Sequence, residues 1–198
     1  MKRKEPLGAT PLSEEDRLGL IPKDVATREE LNAAEFSNIN KAYLNYFSFK
    51  HVQTRLLTWD GLQKLHRDMF GDVWRWAGEI RNKEVSVGIP VHQIRAELRK
   101  FEGDLKAWEE FKHEPIEISA KIHHRLVWIH PFRNGNGRWA RLVANLYLHW
   151  KTCPLVKWPE NEFLISSSFR KEYVNALQSA DRGNFNKIID LHERLLER

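Results

Sequence analysis

The sequence predicts a mainly α-helical fold, a helical bundle that carries one short β-hairpin, and three observations point to it. Apolar side chains recur at helical spacing along most of the chain. One segment, Val85–His92, instead alternates apolar and small residues around a glycine, as hairpins do. With 198 residues and 41% hydrophobic side chains, the chain is long enough for one domain with a substantial core. We therefore expect an N-terminal arm or flexible tail over residues 1–24 and a single domain over residues 25–198.

The first helix is expected over residues 27–49. Thr27 and Glu30 stand at the spacing of a capping box, in which each side chain bonds the other residue's backbone N–H. Glu35 falls on the same apolar face as Leu31, where a carboxylate needs a positively charged partner. A solvated glutamate at the edge of that face is the alternative.

Two further helices follow on the same reasoning. One begins near Thr58 and is closed by Gly71. The other carries apolar residues from Ile94 to Trp108 and ends before Pro115.

Between these helices lies the predicted hairpin, with Val87, Gly88 and Ile89 at its centre. An isolated two-stranded hairpin is marginal in water. Its open edge can hold an extended segment of another protein through backbone hydrogen bonds, so we interpret it as a flap that positions a target. A covered β-turn is the alternative.

A glycine-rich loop joins the next two helices. Pro131 disfavours helix beyond His130, and helical apolar spacing resumes near Arg138. The first of these helices also carries His123 and His124, which as neighbours cannot share one helix face, so a zinc site is not expected.

The loop itself has the composition of an anion cradle. Gly135 and Gly137 bracket Asn136, which lets backbone N–H groups turn toward a common point at a helix N-terminus. Arg138 and Arg141 are unfavourable in a first helical turn unless an anion compensates them. Two alternatives stay open: a plain interhelical turn, and arginines that pair with carboxylates elsewhere in the chain.

The last part of the chain predicts two closing helices. The first carries Tyr173 and is closed by residues 181–184, and the second runs from Ile188 to Leu195. We expect them to brace the loop rather than to contribute to it.

The loop resembles the signature of the Fic/Doc family, His-x-Phe-x-(Asp/Glu)-Gly-Asn-Gly-Arg-x-x-Arg, at every specified position except one. Asn134 stands where the family has an acid. The similarity extends over roughly residues 27–195 and is greatest to the small members called mobile mystery protein B. It implies the Fic fold, a helical bundle with a hairpin flap beside the active site.

The resemblance also implies an activity, that of a protein adenylyltransferase (AMPylator) using ATP and Mg²⁺ or Mn²⁺. His130 would take the proton of a Ser, Thr or Tyr hydroxyl of a target protein, which then attacks the α-phosphate of ATP. The amides of Gly135–Gly137, with the Asn136 side chain, would bind the inner phosphates. Arg138 and Arg141 would hold the outer ones.

Two residues qualify that implication. In many members an inhibitory helix carries a glutamate that pairs with the second signature arginine, so Glu35 would pair with Arg141, although Leu31 and Phe36 depart from the family's inhibitory motif. Asn134 can coordinate a metal ion but cannot neutralise it. Slow AMP transfer, a different nucleotide or transfer chemistry, and nucleotide binding without turnover therefore all remain open.

Composition limits the partners. The net charge of +5 arises from 32 basic and 27 acidic residues spread along the chain, which is typical of a mixed solvated surface, so a nucleic-acid-binding helical domain is the weaker alternative. No apolar run is long enough to predict a membrane partner. The sequence shows no secretory signal and no cysteine besides Cys153, so we expect a cytoplasmic location. The expected partners are ATP, an unidentified target protein and, by the group resemblance, a small helix-turn-helix protein.

Overall fold

A computed structural model describes residues 18–48 and 54–197, without the side chains of residues 54 and 55. These residues form a mainly helical fold, as predicted. Its α-helices are α1 (Arg28–Phe47), α2 (Trp59–Phe70), α3 (Ile94–Glu110), α4 (Pro115–Ile129), α5 (Asn136–Trp150), α6 (Ser168–Asp181) and α7 (Asn186–Arg194). Single 3₁₀ turns occur at Thr54–Leu57, Val91–Gln93 and Glu160–Phe163. Among the described helices, none combines the length and apolarity that crossing a bilayer requires.

Helix α1 begins at the predicted capping box. The Thr27 hydroxyl accepts a hydrogen bond from the Glu30 N–H at 3.1 Å, and the Glu30 carboxylate accepts one from the Thr27 N–H at 2.8 Å. The hydrogen bonds that the Glu30 carboxylate accepts from the N–H groups of Thr27 and Ala26 lower the pKa of Glu30. The described helix is shorter than the predicted span of 27–49, and residue 49 lies outside the described residues.

Helix α5 runs through the centre of the core. It packs along α4, and most of its side chains are buried, including Trp139 and Tyr147. A second, smaller apolar cluster lies between α4, α6 and α7. Because α5 is anchored on most of its surface, the residues of its first turn are held against a rigid support.

The hairpin predicted over Val85–His92 is not confirmed by this structure. Among the described residues that segment forms bends followed by the 3₁₀ turn, with no paired strands. The physical reason is Arg81, whose guanidinium donates hydrogen bonds to the carbonyls of Lys83 and Ile89. A side chain thus satisfies carbonyls that a strand ladder would otherwise bond.

The predicted tail is only partly visible. Residues 1–17 lie outside the described residues. The segment that follows packs beside the residues after α2, where the Ile21 N–H donates to the Val73 carbonyl at 2.9 Å and the Gly19 carbonyl accepts from the Arg75 N–H at 2.8 Å. The domain boundary near residue 24 stays a prediction.

Candidate active site

The loop between α4 and α5 is braced from within by Asn136. Its side-chain oxygen accepts from the Phe132 N–H at 2.9 Å, and its side-chain nitrogen donates to the Phe132 carbonyl at 2.8 Å. In this conformation both polar atoms of the side chain are engaged with the loop backbone, which leaves the backbone N–H of Asn136 for an anion. Phosphate binding by the Asn136 side chain stays a prediction.

A second brace comes from His66 on α2, which the sequence did not reveal. Its Nδ1 accepts from the Gly78 N–H at 3.0 Å, so Nε2 carries the proton and donates to the Asn134 carbonyl at 3.0 Å. The ring stacks on Phe132 with centroids 3.7 Å apart. Burial lowers the pKa of His66 to about 3, which keeps the imidazole neutral. The only sequence feature that could have pointed to this role is the position of His66 among the apolar residues of a helical stripe.

The backbone at the start of α5 has the geometry of an anion cradle. Gly135 has a φ of 81°, and a Cβ at this position would lie 2.6 Å from the Phe70 ring. The N–H groups of Asn136, Gly137 and Arg138 open the helix and have no acceptor within it. They line a cavity of about 720 Å³ that is wide enough for a nucleotide. That an anion binds there stays a prediction.

His130 lines this cavity, and its role as a base stays a prediction. It closes α4 with a φ of 52°, and its Nδ1–H donates to the Val127 carbonyl at 3.1 Å, which makes Nε2 the basic nitrogen. Burial, with a smaller effect of the Arg81 charge, lowers the pKa of His130 to about 4. The imidazole is therefore neutral, and able to accept a proton, throughout the cellular pH range.

We predict that His130 does not titrate near the ordinary histidine pKa of about 6.5. Because burial favours the neutral ring, protonation should begin only as the pH falls toward about 4. The measurement is the ¹H–¹³C NMR shift of the His130 ring between pH 8 and pH 5, with the signal assigned by its absence in His130→Ala. A midpoint for His130 near 6.5 would contradict the buried geometry.

Arg81 ties the predicted flap segment to His130. Its Nε donates to the His130 carbonyl at 2.7 Å, and another guanidinium nitrogen donates to the Ile89 carbonyl. Gly88 lies so close that a Cβ there would be 2.4 Å from the His130 Cβ. Residues 87–89 therefore lie close to His130, and their role in positioning a target stays a prediction.

Glu35 pairs with the first of the two loop arginines. Its carboxylate lies 2.7 Å from Arg138 Nη1 and also accepts from the Trp74 indole N–H at 2.7 Å. The predicted partner was Arg141, so that part of the prediction is wrong. Arg141 is engaged elsewhere, whereas Arg138 is the arginine that faces α1. Glu35 is only 5% exposed, which excludes the solvated alternative.

Arg141 is held by a carboxylate that follows α5. Its guanidinium forms a two-pronged contact with Glu160, at 3.1 Å from Nε and 2.7 Å from Nη2, and lies 3.9 Å from the centroid of the Phe163 ring. Both loop arginines therefore pair with internal carboxylates, which was one of the alternatives left open by the sequence. Each carboxylate occupies a position that an anionic ligand would need.

The loop offers little to a metal ion. The Asn134 side-chain oxygen accepts from the Gly135 N–H at 2.6 Å. Among the described residues, no three acidic, histidine or cysteine side chains form a metal-binding group. If Mg²⁺ binds here with a nucleotide, Asn134 would supply one neutral oxygen, and phosphate and water oxygens would supply the rest.

Comparison with known proteins gives sequence relatives. A family model described as the Fic/DOC family matches residues 56–148. A protein adenylyltransferase Fic from Culex quinquefasciatus is 33% identical over 150 residues, which cover 71% of this chain and 29% of that protein. The protein of the same name from Aedes aegypti is 29% identical over 194 residues, which cover 92% of this chain and 36% of that one. The chain thus spans well under half the length of these relatives.

Solved structures share the fold. A fragment of Fic-1 from C. elegans superposes with a TM-score of 0.65 at 24% identity, covering 90% of this chain and 52% of that fragment. BepC, a VirB-translocated effector protein from Bartonella tribocorum solved with bound AMPPNP, superposes with a TM-score of 0.66 at 19% identity, covering 92% and 97% of the two chains.

Proposed function

The chain belongs to the Fic/DOC family through the domain that includes residues 56–148, and from that membership we propose that it transfers AMP from ATP to a Ser, Thr or Tyr hydroxyl of another protein. The observation that carries the proposal is the placement of a neutral His130 beside the N–H groups that open α5. The named activity of the curated relatives supports it, as do neighbouring structures with bound AMPPNP and ADP.

We assign each step of the proposed reaction to residues of this chain. The N–H groups of residues 136–138 bind the inner phosphates of ATP, and they stabilise the charge that grows on the α-phosphate in the transition state. His130 Nε2 accepts the proton of the target hydroxyl as its oxygen bonds to the α-phosphorus. The bond between the α-phosphorus and the bridging oxygen breaks, and pyrophosphate leaves. The segment Val87–Ile89 holds the target chain by its backbone.

In the described conformation the site is closed to the outer phosphates. Arg138 and Arg141 are the cations that would hold them, and Glu35 and Glu160 occupy these two arginines. ATP must displace both carboxylates before both arginines can bind it. We therefore assign Glu35 an inhibitory role that acts through Arg138, and we expect weak activity in the native protein.

The substitution Asn134→Asp is predicted to increase metal-dependent transfer. Aspartate keeps an oxygen that can accept from the Gly135 N–H, so the loop is preserved, and it adds the charge that Mg²⁺ prefers. The Mg²⁺ concentration that gives half-maximal rate should fall by about tenfold, which corresponds to about 1.4 kcal/mol. The measurement is a Mg²⁺ titration of the transfer rate, repeated with Mn²⁺. A lower rate in the variant at every Mg²⁺ concentration would indicate a different reaction.

The position of a radioactive label tests the proposed function directly. The purified protein and Glu35→Gln are incubated with ATP labelled on either the α- or the γ-phosphate, in the presence of a cell lysate as a source of targets. Label from the α-phosphate on protein supports AMP transfer, and label from the γ-phosphate alone would indicate phosphorylation. Asn134 favours one second candidate, a module that binds ATP without turnover, which would bind ATP and transfer neither label.

The partner and the cellular location are proposed on the resemblance alone. Similarity to the mobile mystery protein B group leads us to propose a small helix-turn-helix partner protein, in a toxin–antitoxin-like arrangement, and a cytoplasmic location. Co-purification of the tagged chain from its native host, with the bound proteins identified by mass spectrometry, tests the partner.

A further inference from the structure

A chain of buried polar side chains runs through the core behind Arg141. The Arg141 guanidinium carbon lies 6.0 Å from the centroid of the Tyr173 ring and interacts electrostatically with the Tyr173 hydroxyl, which lies 2.9 Å from His123 Nε2. His123 Nδ1 lies 3.0 Å from His192 Nε2, and His192 Nδ1 lies 3.4 Å from the Ser119 hydroxyl. The Ser119 hydroxyl lies 3.3 Å from the Ala144 carbonyl. None of the four side chains between the arginine and that carbonyl is more than 7% exposed.

The two ends of this chain fix the direction of its hydrogen bonds. Arg141 can only donate, and the Ala144 carbonyl can only accept. Burial lowers the pKa of His192 to about 3 and that of His123 well below its ordinary value, so each ring has one donor and one acceptor nitrogen.

With those constraints, one arrangement gives every proton an acceptor. The Tyr173 hydroxyl accepts from Arg141 and donates to His123, and His123 donates from Nδ1 to His192. His192 donates from Nδ1 to Ser119, which donates to the carbonyl at the far end. In the reverse direction the Tyr173 hydroxyl proton would have no acceptor among these residues, and a buried donor without a partner is unfavourable.

Arg141 thus has two kinds of polar partner. Both partners line the cavity, but Tyr173 is 7% exposed, whereas the Glu160 side chain is 48% exposed and able to leave. A free arginine side chain loses rotamer entropy when a ligand orders it. A buried partner keeps the guanidinium ordered after Glu160 departs.

We propose that Tyr173, His123, His192 and Ser119 are positioning residues, which hold the Arg141 guanidinium in place while its cavity-side partner changes from Glu160 to the outer phosphate of a nucleoside triphosphate. This inference rests on the proposed function in one respect, that Arg141 binds phosphate. It adds a set of residues, drawn from α4, α6 and α7, that contribute to triphosphate affinity through the arginine.

The test is Tyr173→Phe, which removes one hydroxyl and breaks the chain next to Arg141. We expect ATP to bind about tenfold more weakly, and AMP, which has no outer phosphate, to bind as before. The transfer reaction should show a raised KM for ATP with little change in kcat. The matched control is Tyr147→Phe, which removes a hydroxyl bonded to Glu109 on α3 and should leave ATP affinity unchanged.

Substitutions at His123 separate positioning from packing. His123→Leu removes the acceptor for Tyr173 and should weaken ATP binding as Tyr173→Phe does. His123→Gln retains an acceptor oxygen, so it should restore most of the affinity. Because the links act in series, the double variant of His123→Leu with Tyr173→Phe should bind ATP no more weakly than either single variant.

Three results would overturn the inference: unchanged ATP affinity in Tyr173→Phe, equal losses for ATP and AMP, or additive losses in the double variant. Loss of transfer activity with ATP binding intact would count against the proposed function and not against the positioning role of Tyr173, His123, His192 and Ser119. If the native protein binds no ATP, the positioning role is tested by the NMR signal of the Arg141 Nε–H in the ligand-free protein. It must shift or broaden in Tyr173→Phe and not in Tyr147→Phe.

Discussion

Replacing His130 with alanine is expected to abolish transfer of the α-phosphate label while ATP still binds. The imidazole is the group that accepts the target proton, and general-base catalysis contributes about 10²- to 10⁴-fold to such reactions. Because burial lowers its pKa to about 4, the ring is in its neutral, proton-accepting form at cellular pH. The measurement is the initial rate of label incorporation in the Glu35→Gln background, where basal activity is highest.

The control for that prediction is His113→Ala. His113 lies between α3 and α4, pairs with Glu117, and has a side chain that is 35% exposed, so its removal should leave the rate unchanged. ATP affinity measured by calorimetry should be the same within about twofold in all three proteins, because His130 is not a phosphate ligand. Transfer that persists at the native rate without His130 would mean that another group is the base.

The substitution Glu35→Gln is predicted to raise transfer activity at subsaturating ATP by about 10- to 100-fold. Glutamine keeps an oxygen for the Trp74 indole, so the packing of α1 is preserved while the charge on Arg138 is released. A buried hydrogen bond to a charged group contributes about 1.5–3 kcal/mol, and ATP no longer has to displace it. The measurement is the transfer rate as a function of ATP concentration.

Glu160→Gln is the comparison that makes this prediction specific. Glu160 pairs with Arg141 at the same distance of 2.7 Å, but its side chain is 48% exposed, against 6% for that of Glu35. Because the Glu160 carboxylate is more exposed to solvent than that of Glu35, its ion pair is screened more, and we expect a smaller activation than for Glu35→Gln. Strong activation by Glu160→Gln with none by Glu35→Gln would mean that Glu160, and not Glu35, is the inhibitory carboxylate.

Local sequence signals predicted the helices well. The capping box placed the start of α1, and Pro131 placed the end of α4 within one residue. Helix α5 begins at Asn136, two residues before the predicted start near Arg138, because Gly135 in the left-handed region serves as its N-cap. The hairpin prediction is not confirmed, because alternation of apolar and small residues indicates which side chains are buried and not which group forms hydrogen bonds with the backbone.

The candidate site was predictable where it is continuous in sequence. His130 and the loop arginines fall within one stretch, so their proximity followed from spacing. Their partners come from other elements. Glu160 on Arg141 and the Arg81 guanidinium beneath His130 depend on how distant segments pack, and no local pattern encodes that. For the same reason the sequence identified Glu35 as a buried carboxylate but not which arginine it meets.

The central claim is that Arg138 is a phosphate ligand that Glu35 occupies, and a double-mutant cycle on ATP binding tests it most directly. ATP affinity is measured by calorimetry in the native protein, Glu35→Gln, Arg138→Ala and the double variant. The account predicts that Glu35→Gln tightens ATP binding by about tenfold or more when Arg138 is present and by less than about twofold when it is absent. An equal gain in both backgrounds, or no gain in either, would contradict the account.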